Sequence, residues 1–463
     1  MAFPARGSLV RLVCASAVCW AACTEFGSSN QPGDATPGPD AAAAEDGSAV
    51  DGGGSDGSAN PDTAIVDLAA GNSSTCIVVA NGSVYCWGAN HRKQLGATTA
   101  PETCADARPC SRRPLRVDGI TDAKRVAVGD AWACVAHATG AVSCWGSNAH
   151  LQLGHSTGDE SCGGVSCNAT PVAVTGLPAG DAVVQLAAGG DETRAVTCAR
   201  LQSGKVYCWG RNDVGQLGSG DLSPGRSATP VRVQGIDSAR FLTAAPQGGN
   251  LGLCVVLESN ELSCWGAAEF WMIGRDPDSE TCRCFAEAGE PSIVPDANIA
   301  TIGIADGTSV IARTDGSVAA FGFAGYAVKP LGNLPEAVTP IPGLPSTVVE
   351  IAAGARHACA RTSTNDVWCW GDAHLGSLGR GSFAGQQSCN GKPCSESAAM
   401  LPDAKGTRLV AGVNGTFLLA GEHRILAWGA NQYGQLGHAA ALDVESVEGL
   451  LCAARPVEVE GLP

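Results

Sequence analysis

Short apolar runs recur along most of this chain, and none has the period of a long amphipathic helix. Four of them end in glycine and read IVDLAAG, RVAVG, VVQLAAG and VVEIAAG. Each is followed by a second apolar run, a turn rich in Gly or Asn, and a third run that contains Trp-Gly. Short apolar runs separated by turn residues are typical of β-strands joined by hairpins. The chain from residue 64 onward is therefore predicted to be all β.

The tripeptide Cys-Trp-Gly marks a repeat. It begins at Cys86, Cys144, Cys208, Cys264 and Cys369. The register continues without cysteine at Phe321-Gly322 and Trp428-Gly429, which makes seven units of about 57 residues over 64–463. Four strands in a unit of this length are the pattern of a propeller blade. The sequence predicts a seven-bladed β-propeller with four-stranded blades, in which the periodic tryptophans are core residues of the blade packing.

The loops after Trp-Gly carry a further motif. Gln-Leu-Gly or Ser-Leu-Gly ends at Gly96, Gly154, Gly218 and Gly379, and units close with segments such as PLRVDGI or PVEVEGLP. Together these motifs resemble the regulator-of-chromosome-condensation repeat family over about 400 residues. The resemblance implies the seven-bladed propeller. It also implies two activities of family members: nucleotide exchange on a small GTPase with chromatin binding, and inhibition of β-lactamase by secreted bacterial propellers. Units four and five depart from the pattern.

The first 23 residues resemble an export signal. Arg6 and Arg11 precede an apolar run from Leu12 to Ala22, which is too short to span a bilayer. The segment Trp20–Cys23 resembles the bacterial lipoprotein signal, in which the cysteine is acylated, although Trp20 stands where that family usually has Leu or Val. Lipidation of Cys23 is the leading interpretation. Plain secretion and a misassigned start are the alternatives.

Residues 24–63 are predicted to be a disordered tether. This stretch is rich in Gly, Ala, Asp and Pro and has eight acidic residues and no Lys or Arg. It cannot bury enough apolar surface to offset the entropy of ordering the chain. The expected location is the outer membrane or cell surface, held only by the N-terminal lipid. A secreted or periplasmic protein is the alternative.

The 22 cysteines follow the units. In five units two cysteines lie ten residues apart, and both are replaced together in unit five by Val310 and Ala320 and in unit seven by Phe417 and Ala427. If Ala80-Asn81-Gly82 is a three-residue hairpin loop, each pair lies directly opposite at a non-hydrogen-bonded site within disulfide range. The predicted hairpin disulfides are Cys76-Cys86, Cys134-Cys144, Cys198-Cys208, Cys254-Cys264 and Cys359-Cys369.

A second set of cysteines lies in the loops after Trp-Gly. Metal binding is the competing interpretation, but no Cys-x-x-Cys pair repeats and no histidine stands at zinc-site spacing. Export to an oxidising compartment favours disulfides. Cys452 shares the Cys-x-x-Arg-Pro context of Cys110 and is the odd cysteine of this set. The predicted loop disulfides are Cys104-Cys110, Cys162-Cys167, Cys282-Cys284 and Cys389-Cys394.

Charge and motifs narrow the function. The chain has 29 basic and 45 acidic residues and a formal charge of −16. It is therefore expected to lack the broad basic surface that binds phosphate backbones, and nucleic acid is not expected as a partner. The sequence has no His-Glu-x-x-His, Gly-x-Ser-x-Gly, phosphate loop or dinucleotide fingerprint. We therefore predict no catalytic residue, no metal and no cofactor, and a protein that is not an enzyme.

One face of the propeller is expected to bind. With strands running up and down, the turns between strands one and two share a face with the loops after Trp-Gly, and loops on a rigid scaffold often bind ligands. Phe270 and Trp271 are the leading anchors because adjacent large apolar side chains are costly to expose. The alternative is that each side chain only covers its own loop. The candidates are Phe270, Trp271, Trp132, His91, Arg92, His150, Asp213, His357, His374 and Tyr433.

The leading functional hypothesis is a non-catalytic, surface-anchored protein that recognises a protein or glycan, with an inhibitor as one form that the resemblance implies. The alternative is a nucleotide exchange factor that binds chromatin, against which the export signal and the acidic tether argue. An enzyme of unrecognised type comes third. The sequence indicates neither the ligand nor the oligomeric state.

Overall fold

The computed structural model describes most of the repeat region. The chain divides into two compact units, Met1–Gly57 and Ser58–Pro463, and the described residues lie in the second. The predicted signal peptide with Cys23, and residues 24–59 of the predicted tether, lie outside the described residues and stay predictions. The described ranges are 60–156, 160–246, 251–267, 273, 284–289, 298–323, 326, 328–330, 337–438, 445–447 and 449–463.

The described strands form seven antiparallel sheets, one per sequence unit, which confirms the predicted seven-bladed all-β propeller. We number the sheets as blades 1–7. Blade 1 comprises β1 (Ile65–Ala70), β2 (Ser74–Val79), β3 (Val84–Ala89), β4 (Glu102–Thr103) and β5 (Pro109–Arg116). Blade 2 comprises β6 (Ala123–Val128), β7 (Trp132–His137), β8 (Val142–Ser147), β9 (Glu160–Cys162) and β10 (Val165–Ala173). Blade 3 comprises β11 (Val183–Gly189), β12 (Val196–Leu201), β13 (Val206–Arg211) and β14 (Arg226–Arg232).

The remaining blades repeat this plan. Blade 4 comprises β15 (Ala239–Ala244), β16 (Gly252–Leu257), β17 (Leu262–Ala267) and β18 (Cys284–Gly289). Blade 5 comprises β19 (Ile299–Ile304), β20 (Thr308–Arg313), β21 (Val318–Gly322) and β22 (Thr339–Pro340). Blade 6 comprises β23 (Val348–Ala353), β24 (His357–Thr362), β25 (Asp366–Asp372), β26 (Gln387–Cys389) and β27 (Lys392–Lys405). Blade 7 comprises β28 (Arg408–Ala411), β29 (Gly415–Gly421), β30 (Arg424–Ala430), β31 (Glu445–Val447) and β32 (Leu450–Glu458).

Four blades have a fifth strand that the sequence did not predict. In blades 1, 2, 6 and 7 a strand of two or three residues lies outermost and pairs with the long strand that follows it, as in the order β1-β2-β3-β5-β4. In blades 1, 2 and 6 each partner strand of this outer hairpin is bordered by, or contains, one cysteine of a loop pair. The loop disulfides therefore join the short outermost strand to the long strand beside it.

Helices are minor in the part of the chain that the structure describes. Two three-residue 3-10 helices occur there, Pro61–Thr63 and Ala105–Ala107. The first lies within the predicted tether, where Asp62 O accepts a hydrogen bond of 3.0 Å from Asn81 N in the first hairpin. The described structure therefore includes residues 60–63 of the predicted tether. Among the described residues no helix has the length and apolarity to cross a bilayer.

The middle hairpin of blades 1 to 6 has the predicted turn, whereas that of blade 7 pairs Gly421 with Arg424 in a different turn. In blade 1 Gly82 adopts a φ of 83°, and a side chain there would meet Thr121 O at 2.5 Å, so both conformation and space require glycine. The turn pairs Cys76 with Cys86 at a Cα separation of 4.1 Å, which is the short spacing of a non-hydrogen-bonded pair. Asn260 and Asn365 take the same left-handed conformation, each with a φ of 65°.

The periodic tryptophans lie in the core, as predicted, and the structure shows that they also join neighbouring blades. Each Trp-Gly tryptophan, and Phe321 in blade 5, is fully buried. Trp145 Nε1 donates to Gln94 O of the preceding blade at 3.0 Å, and the equivalent bond recurs around the ring. A buried indole N–H needs such an acceptor. The other bonds are Trp209 to Gln152 O, Trp265 to Gln216 O, Trp370 to Val328 O, Trp428 to Ser377 O and Trp87 to Gln435 O.

The ring closes between blades 7 and 1 without exchange of a strand among the described sheets. The Trp87 indole reaches Gln435 O at 2.9 Å across this seam. Buried Asp67 in β1 forms an ion pair with Arg408 of blade 7 and accepts a hydrogen bond of 2.8 Å from Val126 N of blade 2. Burial raises the pKa of Asp67, and the Arg408 guanidinium opposes this shift. One carboxylate thus links three blades.

A charged cleft on the loop face

The loops after Trp-Gly share a rigid frame in four blades. In blade 1 the Asn90 carboxamide accepts from Leu95 N and donates to Ala97 O, while Gln94 Oε1 accepts from Arg92 N at 2.8 Å. The side chains of asparagine and glutamine thus satisfy the backbone of the loop from within. The same pairs are Asn148 with Gln152, Asn212 with Gln216, and Asn431 with Gln435.

This frame fixes the residues between the asparagine and the glutamine. It presents His91 and Arg92 in blade 1, His150 in blade 2, Asp213 in blade 3 and Tyr433 in blade 7. The spacing Asn-x-x-x-Gln-Leu-Gly is visible in the sequence and distinguishes these four loops from those of blades 4, 5 and 6. We call the surface formed by these loops and by the turns between the first two strands the loop face.

A cavity of about 300 Å³ lies on the loop face, where the loops of blades 1 and 7 meet the turns between strands one and two of blades 1, 2 and 3. Its wall combines residues of the turns between strands one and two with residues of the loops after Trp-Gly, as the topology requires. Carboxylates predominate among its charged groups. The lining residues are Asn72, Ser73, His91, Arg108, Asp130, Asp191, Glu192, Thr193 and Tyr433.

Glu192, from the turn between β11 and β12, is the hub of the cleft. Arg92 binds both carboxylate oxygens, at 2.8 and 3.1 Å, and His91 Nε2 lies 3.5 Å from Oε1. Hydrogen bonds from His91 and Arg92 hold the pKa of Glu192 well below its usual range, and the same contact raises the pKa of Arg92. Glu192 is therefore ionised at neutral pH and locked in a bidentate ion pair.

His150 continues the network toward blade 3. Its Nε2 lies 2.8 Å from the Glu192 carbonyl oxygen, which can only accept, so Nε2 carries the hydrogen. The Nδ1 atom then accepts from Arg211 Nη1 at 3.3 Å. Burial lowers the pKa of His150. A neutral, oriented imidazole results.

Asp213 and its partners form the blade 3 side of the network. Its carboxylate lies 3.4 Å from Arg194 Nε and 3.2 Å from Arg211 Nε, and it accepts from Gln216 at 3.1 Å. The pKa of Asp213 is lowered because these contacts, led by the Gln216 hydrogen bond, outweigh burial.

Asp130 differs from the other acids of the cleft. Burial raises its pKa, the Glu192 and Asp191 charges raise it further, and a hydrogen bond from Asn72 only partly offsets these effects. The surroundings of Asp130 therefore disfavour its ionisation, in contrast to Glu192 and Asp213.

Tyr433 closes the cleft across the seam between blades 7 and 1. Its hydroxyl donates to Asp106 at 3.2 Å, and Arg108 lies 5.5 Å from the ring centroid. Burial raises the pKa of Tyr433. Five predicted candidates thus lie in one network, namely His91, Arg92, His150, Asp213 and Tyr433.

Two of the candidate binding residues were wrongly predicted to lie at exposed tips of the loop face. Trp132 and His357 are 0% and 1% exposed, and each is the first residue of the second strand of its blade. The Trp132 indole donates to Thr197 at 3.0 Å, and His357 Nε2 lies 2.8 Å from Thr416 Oγ1. In both cases a glycine three residues earlier leaves room for the ring, and a side chain at Gly129 would meet the Trp132 ring at 2.4 Å.

The other three candidates do not join the cleft. His374 lines a separate pocket of blade 6, described below. Phe270 and Trp271 lie outside the described residues, so their proposed role as anchors stays a prediction.

The structure brings together eight of the nine predicted cysteine pairs at bonding distance. Cys282 of the ninth pair lies outside the described residues. Cys452 is buried in β32, with its Sγ 3.6 Å from Leu450 O. Among the described residues one group of three possible metal ligands comes together, Glu160 with Cys162 and Cys167, and its two sulfurs share a disulfide. Those sulfurs cannot act as thiolate ligands.

The fold described above is that of a seven-bladed repeat propeller. The description "Regulator of chromosome condensation (RCC1) repeat" belongs to both family models that match this chain. One matches residues 65–94, 183–216 and 348–376, and the other 139–196 and 203–254. The chain therefore carries RCC1 repeats, and the predicted resemblance is confirmed at this level.

Three known proteins show the same likeness. The ultraviolet-B receptor UVR8 of Arabidopsis thaliana is 25% identical over 390 residues, 83% of this chain and 81% of that protein. The structure of human WBSCR16 is 19% identical with a TM-score of 0.64, covering 78% of this chain and 88% of that one. Prp20p from Saccharomyces cerevisiae, described with its binding to Gsp1p and histones, is 18% identical with a TM-score of 0.64, covering 84% and 86%. The two structures support the fold.

Proposed function

We propose that this protein is a non-catalytic, surface-anchored binding protein that recognises a protein partner with the loop face of blades 7, 1, 2 and 3. One observation carries the proposal. Four loops with the same internal frame hold polar and aromatic side chains at fixed positions around one cleft. Rigid presentation lowers the entropy cost of binding, and such preorganisation is what a recognition surface needs.

The electrostatics of the cleft support binding rather than acid–base chemistry. A general base works best with a pKa near the operating pH. Glu192 has a strongly lowered pKa because Arg92 and His91 hold its charge, so it is a weak base. A fixed pattern of charges instead suits selection of a complementary surface.

The relatives support a protein as the partner. Prp20p is described as binding two kinds of protein, Gsp1p and histones, and UVR8 is named as a receptor. In this chain we assign partner binding to the loop face, which carries the Glu192 cleft. A glycan is the other outcome that the experiment below separates.

Acylation of Cys23 is the proposed anchor, with the acidic segment as its spacer. The many disulfides fit an oxidising compartment outside the cytosol. Radiolabelled palmitate should enter the wild-type protein in its native host and not Cys23→Ser. Equal labelling of both would overturn the anchor and leave the binding face untouched.

The binding proposal is tested by quantitative capture from envelope extracts of the native host. His91→Ala/Tyr433→Ala should lower recovery of the partner at least tenfold, because both side chains line the cleft. The matched control, Thr139→Ala/Glu258→Ala, alters exposed residues of two hairpins on the opposite face and should capture like wild type. Equal capture by all three proteins would overturn the assignment of the face. Loss of capture after enzymatic deglycosylation of the extract would replace the protein partner by a glycan.

A further inference from the structure

A second pocket lies on the loop face, apart from the Glu192 cleft. It has a volume of about 200 Å³ and is formed by the turns that precede β24 and β29 and by the loop after Trp-Gly in blade 6. Its polar lining consists of Arg356, Asp372, His374, Ser377, Lys392 and Asn414. Nothing in the proposed partner-binding role uses these residues.

Donors predominate in this lining. The Arg356 guanidinium lies 4.4 Å from the centroid of the Tyr326 ring, a contact that orients it. Lys392 Nζ lies 3.0 Å from His374 Nε2. Because an ammonium group can only donate, Nε2 is the acceptor and the His374 hydrogen is on Nδ1. Two full positive charges and the Asn414 side chain thus line one small cavity.

A single carboxylate stands among these donors. Asp372 is half-buried, and its Oδ1 accepts a hydrogen bond of 2.7 Å from His374 N. Burial raises the pKa of Asp372, and the hydrogen bond from His374 N together with the electrostatic effects of His374, Arg356 and Lys392 opposes that rise. Among the described residues no donor contacts the second carboxylate oxygen, which we take as the acceptor for a ligand.

Two further titratable groups lie at or near this pocket among the described residues. His357 also lines the pocket, but burial lowers its pKa to about 4, so it is neutral at pH 7. Asp306 lies outside the lining. Burial raises its pKa, and the nearby Arg356 guanidinium partly offsets this rise.

We propose that this pocket binds a phosphate group that retains an ionisable hydrogen, either inorganic phosphate or a phosphate monoester. Arg356, Lys392 and Asn414 would donate to its oxygens, and charge-assisted bonds of this kind are strong. Asp372 would accept the remaining P–O–H hydrogen. Sulfate and phosphate diesters have no such hydrogen at neutral pH, so their oxygens would face the Asp372 carboxylate without a proton between them. A site built to pair one polar group rejects the analogue that lacks it.

The size of the cavity agrees with this ligand. A water molecule occupies about 30 Å³ of liquid, so about 200 Å³ accommodates a phosphate group together with some of its water.

The test is isothermal titration calorimetry of the folded, disulfide-intact protein at pH 7 and constant ionic strength. The probes are inorganic phosphate, sulfate, glycerol 3-phosphate and dimethyl phosphate. Wild type should bind phosphate at least tenfold more tightly than sulfate and should not bind dimethyl phosphate measurably. Glycerol 3-phosphate binding as tightly as phosphate would identify a group carried on a larger ligand, and binding of inorganic phosphate alone would identify the free ion. Both results support the site.

Two variants of the pocket and one control variant complete the test. Asp372→Asn keeps an oxygen that can accept from His374 N and should reduce the preference for phosphate over sulfate to about one. Lys392→Gln should weaken both anions at least tenfold. Lys405→Gln, an exposed lysine of the same blade outside the pocket, should bind like wild type. The proposal is overturned if wild type binds neither anion, if it binds sulfate as tightly as phosphate, or if Asp372→Asn keeps the wild-type preference.

Discussion

Blades 2 and 5 have the same strand register, but different contacts stabilise each of them. Their middle strands pair identically, Cys134 opposite Cys144 in blade 2 and Val310 opposite Ala320 in blade 5. Blade 2 has a disulfide at this position, and blade 5 has two buried apolar side chains. The difference shows that the hairpin turn and apolar burial set the register, and that the disulfide is added to a register that already exists.

The same contrast extends to the contacts between blades. Trp145 of blade 2 donates to the carbonyl of Gln94 in blade 1. Phe321 occupies the equivalent position in blade 5 and is equally buried, but it has no N–H. Blade 5 therefore depends on packing where blade 2 also uses a directed bond.

The largest test removes that bond from blade 2. Trp145→Phe should lower the free energy of unfolding by about 2 to 3 kcal/mol, because the Gln94 carbonyl is left buried without its donor and the smaller ring leaves a cavity. Urea unfolding monitored by circular dichroism would measure it. Trp368→Phe, at a half-buried tryptophan of blade 6, should cost under about 1 kcal/mol. Equal costs would show that the indole bond contributes nothing.

The next test gives blade 5 the covalent link of blade 2. Val310→Cys/Ala320→Cys should form a disulfide without rearrangement and raise stability by about 2 kcal/mol, the gain from closing a short loop less the burial lost at Val310. Mass analysis of the non-reduced peptides and urea unfolding with and without reductant measure this. Val310→Cys alone should not gain stability. Failure to oxidise would contradict the shared register.

A test of similar size concerns the first residue of the second strand, which is Trp132 in blade 2 and His357 in blade 6. Burial lowers the pKa of His357 from 6.5 to about 4, so the unfolded chain binds a proton that the folded protein rejects. Stability should therefore fall as the pH drops below about 6.5 and level off below about 4, with a loss of about 2 kcal/mol from this group between pH 7 and 5.

His357→Gln should remove this part of the pH dependence, as measured by urea unfolding at pH 7 and pH 5. His423→Gln, at a half-buried position of the last hairpin, is the control and should keep the wild-type difference. If His357→Gln lost as much stability between the two pH values as wild type, the buried histidine would not be its source.

The smallest test compares the frames of the loops. The third residue after the asparagine has a positive φ, 66° for Lys93 in blade 1 and 76° for Gly215 in blade 3. Lys93→Gly should gain about 0.5 kcal/mol, since relief of the left-handed conformation exceeds the added entropy of the unfolded chain. Gly215→Ala should lose about 1 kcal/mol. Thermal melting would resolve both, and a loss in Lys93→Gly would show that the lysine side chain stabilises its loop.

Strand register, disulfide pairing and the number of blades could be predicted from the sequence, because they depend on neighbouring residues and on the repeat period. The Gly82 turn and the spacing of Cys76 and Cys86 lie within one hairpin, so register and pairing could be derived from about a dozen residues. Blade number followed from counting Trp-Gly. The fifth strands were missed because two or three paired residues leave no period to detect.

The cleft required information that no local segment contains. Arg92 and Glu192 are 100 residues apart and meet because the loop of blade 1 and a turn of blade 3 converge on one face. The burial of Trp132 depends on space above Gly129 and on Thr197 of the next blade. The Asn-x-x-x-Gln spacing was the available signal for the loop frame, and its meaning emerges only from the hydrogen bonds that it makes.

The seam between blades 7 and 1 has a consequence for how such a chain can change. Each described sheet is built from one continuous stretch of sequence, and the Trp87 bond to Gln435 at the seam is the same bond that joins other neighbours. No blade is covalently privileged as first or last. A circular permutant of residues 60–463 that joins Pro463 to Asn60 through a flexible linker and opens the chain between blades 3 and 4, at the exposed residues Asp237–Ser238, would keep every described sheet intact. The connections between blades are thus the places where a rearranged gene can open or rejoin the chain without breaking a described sheet.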